Sequence, residues 1–146
     1  MSDRFDLDRF LAAQDAPDSA GRGAYERALS ELRAGRKQTH WMWFVFPQLA
    51  GLGASYMAQK YAIPGLPEAS AYLRDPVLGA RYRTCVAALN RLEGLSAHDV
   101  MGAPDDLKLR SSLTLFALAA PNEAGIRAAL ARYFPGPDPR TLELLR

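Results

Sequence analysis

Trp41-Met42-Trp43-Phe44-Val45-Phe46 is the stretch on which the reading of this chain turns. With the flanking His40 and Pro47 it gathers both tryptophans, two of the six phenylalanines and one of the two histidines into one short segment. Rings of this size bury large apolar areas, so the cluster either belongs to a core or forms a pocket wall. A continuous apolar run carries no amphipathic period, and periodicity alone does not separate a buried strand from a buried helix. The aromatic and β-branched content favours a strand. The surroundings favour a helix, because nearly every other segment reads as helical. A helix that ends at Pro47 also suits the residue before a proline, which disfavours the α region. We therefore expect a short buried helix here.

Upstream, residues 5–11 read as a helix start, with Asp6 as cap and Phe5 packing on Phe10 as a hydrophobic staple. Pro17, Gly21 and Gly23 mark a loop. A second helix follows, with Tyr25, Leu29 and Leu32 on its inner face and Gly35 at its C-terminal cap. Downstream, Gly51 and Gly53 flank a connector, Ser55 caps a short helix to Tyr61, and Pro67 sits in the first turn of the next. Asp75-Pro76 is a strong start signal. Leu78, Tyr82, Cys85, Leu89 and Leu92 then recur at helical spacing, and Gly94 closes the segment. Ser96 is read as the cap of a short helix to Met101. Pro104, Asp105 and Asp106 open another, since acids in the first turn complement the helix dipole. Asn122 is expected to cap the helix carrying Ile126, Leu130, Tyr133 and Phe134, and Asp138-Pro139 to start a last short one.

No strand-and-hairpin pattern, internal repeat or low-complexity linker interrupts this series. The expectation is an all-α fold: a single compact domain over 1–146, ordered from about residue 5 to 145. It has about seven to nine mostly short helices, too many and too short for a simple four-helix bundle. A chain of 146 residues is one domain's worth, burying roughly two-thirds of its extended surface. With 49% hydrophobic and 23% charged residues it has neither a disordered nor a membrane composition. No apolar run approaches the roughly 20 residues that span a bilayer. Residues 1–6 lack the basic start and apolar centre of a signal peptide. The single cysteine excludes an intrachain disulfide framework. A cytoplasmic protein is the expectation. The net charge of +2, with both signs interspersed, gives no reason to expect nucleic acid as a partner.

Glycine-rich phosphate loops, paired metal-binding histidines and nucleophile elbows are all missing, so no cofactor and no metal is expected. Four groups of residues remain as candidates. His40 is either a proton carrier beside a ligand stacked on Trp41 or Trp43, or a histidine at the rim of an aromatic core. His98 with Asp99 is either an imidazole whose tautomer a carboxylate fixes, or an exposed pair at a helix start; adjacent helical residues diverge by about 100°. Lys108 and Ser112 share a helix face, as do Asp106 and Arg110. Lys108, Arg110 and Ser112 therefore form either an anion contact or a helical ion pair with ordinary polar neighbours. Gln48, beyond Pro47, offers donor and acceptors at the end of the aromatic segment, either to a ligand or to the broken helix's own backbone. Arg36-Lys37 reads as a solvated loop. Cys85, inside an apolar stripe, reads as core.

Three of these stretches carry a family resemblance: Trp41-Met42-Trp43-Phe44-Val45-Phe46-Pro47-Gln48, Ser96-Ala97-His98-Asp99-Val100-Met101-Gly102, and Pro104-Asp105-Asp106-Leu107-Lys108-Leu109-Arg110-Ser111-Ser112-Leu113-Thr114-Leu115-Phe116. The chain resembles a widespread bacterial family of small proteins known as a domain of unknown function, some members of which bear an automatic calpastatin label. The resemblance implies a compact all-helical architecture and no established reaction. Calpastatin-type inhibitors are extended, disordered chains, whereas the periodic apolar faces here belong to a folded domain. Two functional expectations follow. One is a site for an anionic small molecule, enzymatic or not, with an aromatic wall. The other is an interaction or structural module whose aromatics are plain core.

Overall fold

A computed structural model describes residues 4–146; Met1, Ser2 and Asp3, part of the segment read for a signal peptide, lie outside the described residues. Ten helices are present among them. They are α1 (Asp8–Asp15), α2 (Ala24–Ala34), α3 (Met42–Val45), α4 (Tyr56–Lys60), α5 (Leu66–Arg74), α6 (Leu78–Arg91), α7 (Ala97–Met101), α8 (Asp105–Ala119), α9 (Ala124–Tyr133) and α10 (Pro139–Leu144). The fold is all-α, a single compact domain. All but α6 and α8 are shorter than the roughly 12 residues an isolated helix needs, so tertiary packing holds them.

Two long helices carry the assembly. α6 packs against α2, α5 and α9, while α8 packs against α5, α7, α9 and α10. α6 buries Leu78, Tyr82, Cys85, Val86 and Leu89, as its period requires, and Leu92 lies partly buried beside them. α8 is different, because every residue from Ser111 to Phe116 is buried. Neighbours surround it, so a helical period does not separate an inner from an outer face there. Close approach of α5 to α6 rests on Gly79, where an added Cβ would meet the Leu73 carbonyl oxygen at 2.1 Å.

The central aromatic stretch is a helix, and a brief one. α3 stops at Val45, and Trp41, Met42, Phe44, Val45 and Phe46 are all buried. Phe46 meets Tyr82 edge-on at 5.5 Å between centroids, and Tyr82 in turn stacks obliquely on Phe116 at 4.4 Å. Such pairs add to the area they bury. After Pro47 the chain runs extended. Its Gln48 carbonyl accepts from the Ile63 N–H at 3.0 Å, and the Ala50 N–H donates to the Ile63 carbonyl at 2.8 Å. This isolated bridge fixes the backbone of residues 48–50 beside residue 63.

Most terminal signals act as read. Gly35 takes φ +78° at the end of α2, Ser55 and Asp138 accept from Ala58 and Thr141, and Ser96 with Asp99 completes a reciprocal capping box. Two do not. Asp6 sits at φ +52° and α1 begins two residues later, with Leu7 at the cap position and no side-chain cap; the Asp6 carbonyl accepts from Arg9 at 2.8 Å. Asn122 does not cap α9; Glu123 occupies that position and turns its carboxylate to Arg83 at 2.6 Å.

Candidate functional site

The tryptophans part company. Trp41 is fully buried, and its indole N–H donates to Glu31 at 2.9 Å. Trp43 is half-buried and lines a small chamber with Met42, Phe46, Tyr61, Ala58, Gln48 and Lys108. The chamber volume is about 10 Å³, room for a single water. The Lys108 ammonium lies 5.6 Å from the centre of the Trp43 ring. No aromatic ring fits between them, and Trp41, fully buried, offers no open face.

Outside this chamber, and sharing Gln48, Ala58 and Lys108 with it, is a groove of about 400 Å³ between residues 48–58, α8 and the start of α10. That is within the usual size of small-molecule sites. Its polar lining comes from Gln48, Ser55, Lys108, Ser111, Asp138 and Arg140, and its apolar lining includes Leu52, Leu107 and Pro104. The Gln48 side-chain amide makes no hydrogen bond among the described residues, and it lines both chamber and groove. Gly53 lies close by, and a Cβ there would sit 2.6 Å from the Ala58 Cβ and 3.5 Å from Gln48 Nε2.

Lys108 is held loosely. Its charged neighbour is Asp105 Oδ1 at 3.6 Å, beyond good hydrogen-bond distance. The other oxygen of Asp105 is engaged more tightly by Lys37 Nζ at 3.0 Å. Lys37 is only 7% exposed; it lies 4.9 Å from the centre of the Trp41 ring and also donates to the Thr39 carbonyl. One carboxylate between two ammonium groups leaves net positive charge at the groove. Lys37 therefore is no solvated loop residue, in contrast to its sequence reading. The pairing joins residues far apart in the chain, and no local pattern announces it.

The other candidates lie elsewhere. Ser112 is fully buried and bonds the Tyr82 hydroxyl at 3.0 Å, so it faces the core and not the groove. Its neighbour Ser111, three residues from Lys108 and equally allowed by helical spacing, lines the groove instead. Arg110 neither pairs with Asp106 nor reaches the groove: its guanidinium donates to the carbonyls of Gly136 and Pro137 at 2.9 and 3.1 Å. His40 is exposed and takes no part in the lining. His98 faces Asp106 at 3.5 Å rather than Asp99. Asp99 belongs to its capping box, where hydrogen bonds from Ser96 hold its carboxyl below the usual carboxylate range. Cys85 is core, and burial pushes its thiol up to about 12. Among the described residues no group of His, Cys, Asp and Glu is placed to hold a metal ion, and no helix is long and apolar enough to cross a membrane.

The family model for the protein of unknown function DUF1810 matches residues 4–145. The chain belongs to that family. Its structure is also similar to the crystal structure of the conserved hypothetical protein Rv1873 from Mycobacterium tuberculosis. The two are 49% identical over 98% of each chain, with a TM-score of 0.90. No curated protein matches the chain. Within this DUF1810 protein, most residues of the three quoted stretches are core, among them Trp41, Phe44, Phe46, Leu109, Leu113 and Phe116. Gln48 from the first and Lys108 and Ser111 from the third share the groove, and the second, through His98, abuts the start of α8.

Proposed function

We propose that this protein binds an anionic small molecule in the groove between residues 48–58 and α8, with Lys108 as the anchoring cation. The observation that carries the reading is the pair Gln48 and Lys108. Among the described residues, the first has an amide without an internal partner, and the second has an ammonium whose carboxylate neighbour, Asp105, is shared with Lys37. Polar groups that face a groove and have no internal partner are free to bond a ligand in place of water, and a mostly apolar groove with a few convergent polar groups is the usual form of such sites. Ser111 adds a hydroxyl. Its proton is used on the Leu107 carbonyl at 3.1 Å, so its lone pairs face the groove as acceptors for a protonated or hydroxylated part of the ligand.

A thermal-shift screen against phosphates, sugar phosphates and small carboxylates tests this. At a hundred times its dissociation constant a native-state ligand stabilises by about 2.7 kcal/mol. For a chain of this size that raises Tm by roughly 5–10 °C. Lys108→Gln is expected to abolish the shift while its own unliganded Tm stays close to that of the parent, since Lys108 is a groove residue with one weak ion pair. A panel without any shift, or a shift that survives Lys108→Gln, would sink the reading.

A further inference from the structure

We infer that the ligand of this groove carries two anionic groups, one met by Lys108 and the other by Arg140. The inference rests on the anion-binding reading above. The groove has a cation on each of two walls: Lys108 stands on α8, and Arg140 on the first turn of α10. Neither is committed. Among the described residues the ionic partner of Arg140 is Glu143 at 3.6 Å, with both side chains at least 60% exposed, a geometry worth little in water. The acid that shares the groove, Asp138, has one oxygen taken up by its own helix start, accepting from the Thr141 N–H at 2.8 Å and the Thr141 hydroxyl at 2.6 Å.

The wall that carries Arg140 is anchored. Arg110 ties the preceding Gly136 and Pro137 carbonyls to α8, and the Asp138 N–H donates to Thr114 Oγ1 at 2.8 Å. Two cations on elements pinned to one another suit a ligand whose two charges are joined covalently, because the second contact then forms at high effective concentration. The lining between them is apolar at Leu52 and Leu107, and no lining residue is aromatic. A nucleobase has no ring to stack on there. A short-chain dicarboxylate or a bisphosphate-like compound matches the groove better.

Calorimetry in low salt would compare inorganic diphosphate with orthophosphate, and succinate and glutarate with butyrate. At least one two-anion probe is expected to bind tenfold or more tightly than its one-anion counterpart. Arg140→Gln should erase that preference and leave orthophosphate or butyrate within twofold of the parent. Arg91→Gln, an equal change of charge away from the groove, should preserve it. A preference that never appears, that survives Arg140→Gln, or that disappears equally in Arg91→Gln overturns the two-anion inference. In each of those cases, one-anion binding that Lys108→Gln still abolishes leaves the broader reading standing. If no probe binds at all, both fall together.

Discussion

Arg9→Met is expected to lower the free energy of unfolding by about 3–5 kcal/mol, the range found when one partner of a buried ion pair is removed. Arg9 spends every N–H it has. Nε donates to the Lys60 carbonyl at 2.9 Å, one terminal nitrogen to the Phe5 and Asp6 carbonyls at 2.6 and 2.8 Å, and the other to the Ala62 carbonyl at 3.0 Å and Glu68 Oε2 at 2.7 Å. Its guanidinium carbon also lies 4.3 Å from the centre of the Phe10 ring. Glu68 is 4% exposed, so the substitution takes a guanidinium away from a desolvated carboxylate. Methionine keeps much of the apolar volume and isolates the polar loss. The effect reaches the groove as well, since Arg9 holds residues 60–62, next to the Ile63 that fixes the backbone of Gln48. Urea unfolding of the two single variants and of Arg9→Met with Glu68→Gln would give the coupling. The combined loss should be clearly smaller than the sum. A single-variant loss below about 1 kcal/mol would show that the network is replaced by water.

Local chemistry is what the sequence made readable. Glycine at a left-handed C-cap, serine or aspartate ahead of a helix, and a Pro-started first turn act through bonds within a few residues, and Gly35, Ser55, Ser96 and Asp138 obey them. The all-helical class and the short buried helix before Pro47 follow from the same rules. Where a distant partner competes, the local rule loses. Glu123, at the position ahead of α9, goes to Arg83 on another helix, and Asn122 is left outside the cap.

The groove was half legible for the same reason. Gln48 and Lys108 could be singled out from their residue types and their places in distinctive stretches. Helical spacing puts both Ser111 and Ser112 beside Lys108, and only the enclosure of α8 decides that Ser112 bonds Tyr82 in the core while Ser111 faces out. Arg110 looked like an anion clamp and is a clamp on backbone carbonyls, which present the same acceptor chemistry to a guanidinium. Lys37 and Arg140 were out of reach, since the Lys37–Asp105 pair and the sharing of one groove by Lys108 and Arg140 arise only through tertiary packing.

Trp41→Ala carries the second large expected effect, a loss of about 3–5 kcal/mol, because it empties the site of a fully buried indole. Trp41→Phe separates packing from hydrogen bonding. It keeps a ring for Phe46 and Lys37 and removes one bond to Glu31, an expected loss of about 1–2 kcal/mol. Glu31 also accepts from the Gln38 and Thr39 N–H groups at 2.7 and 2.9 Å and from the Thr39 hydroxyl at 2.6 Å. Burial pushes its carboxyl up, but these donors together outweigh burial and leave it below the ordinary glutamate range. A carboxylate depressed in the folded state contributes stability that is present above its unfolded value of about 4.3 and lost as pH falls through its folded value. Trp41→Phe withdraws one of the donors, so its folded value should rise and the contribution shrink. Relative to wild type, the deficit of Trp41→Phe should then be full near pH 6 and narrow as pH falls through the depressed folded value of Glu31, until the group is protonated in both proteins. An unchanged deficit across that range would mean that the indole N–H does not act through the charge of Glu31. The same carboxylate binds the backbone on either side of residue 38, so it also sets where Lys37 reaches Asp105. A shift in the acid profile of Trp41→Phe accompanied by weaker anion binding at Lys108 would tie the buried tryptophan to the groove through Glu31, Lys37 and Asp105.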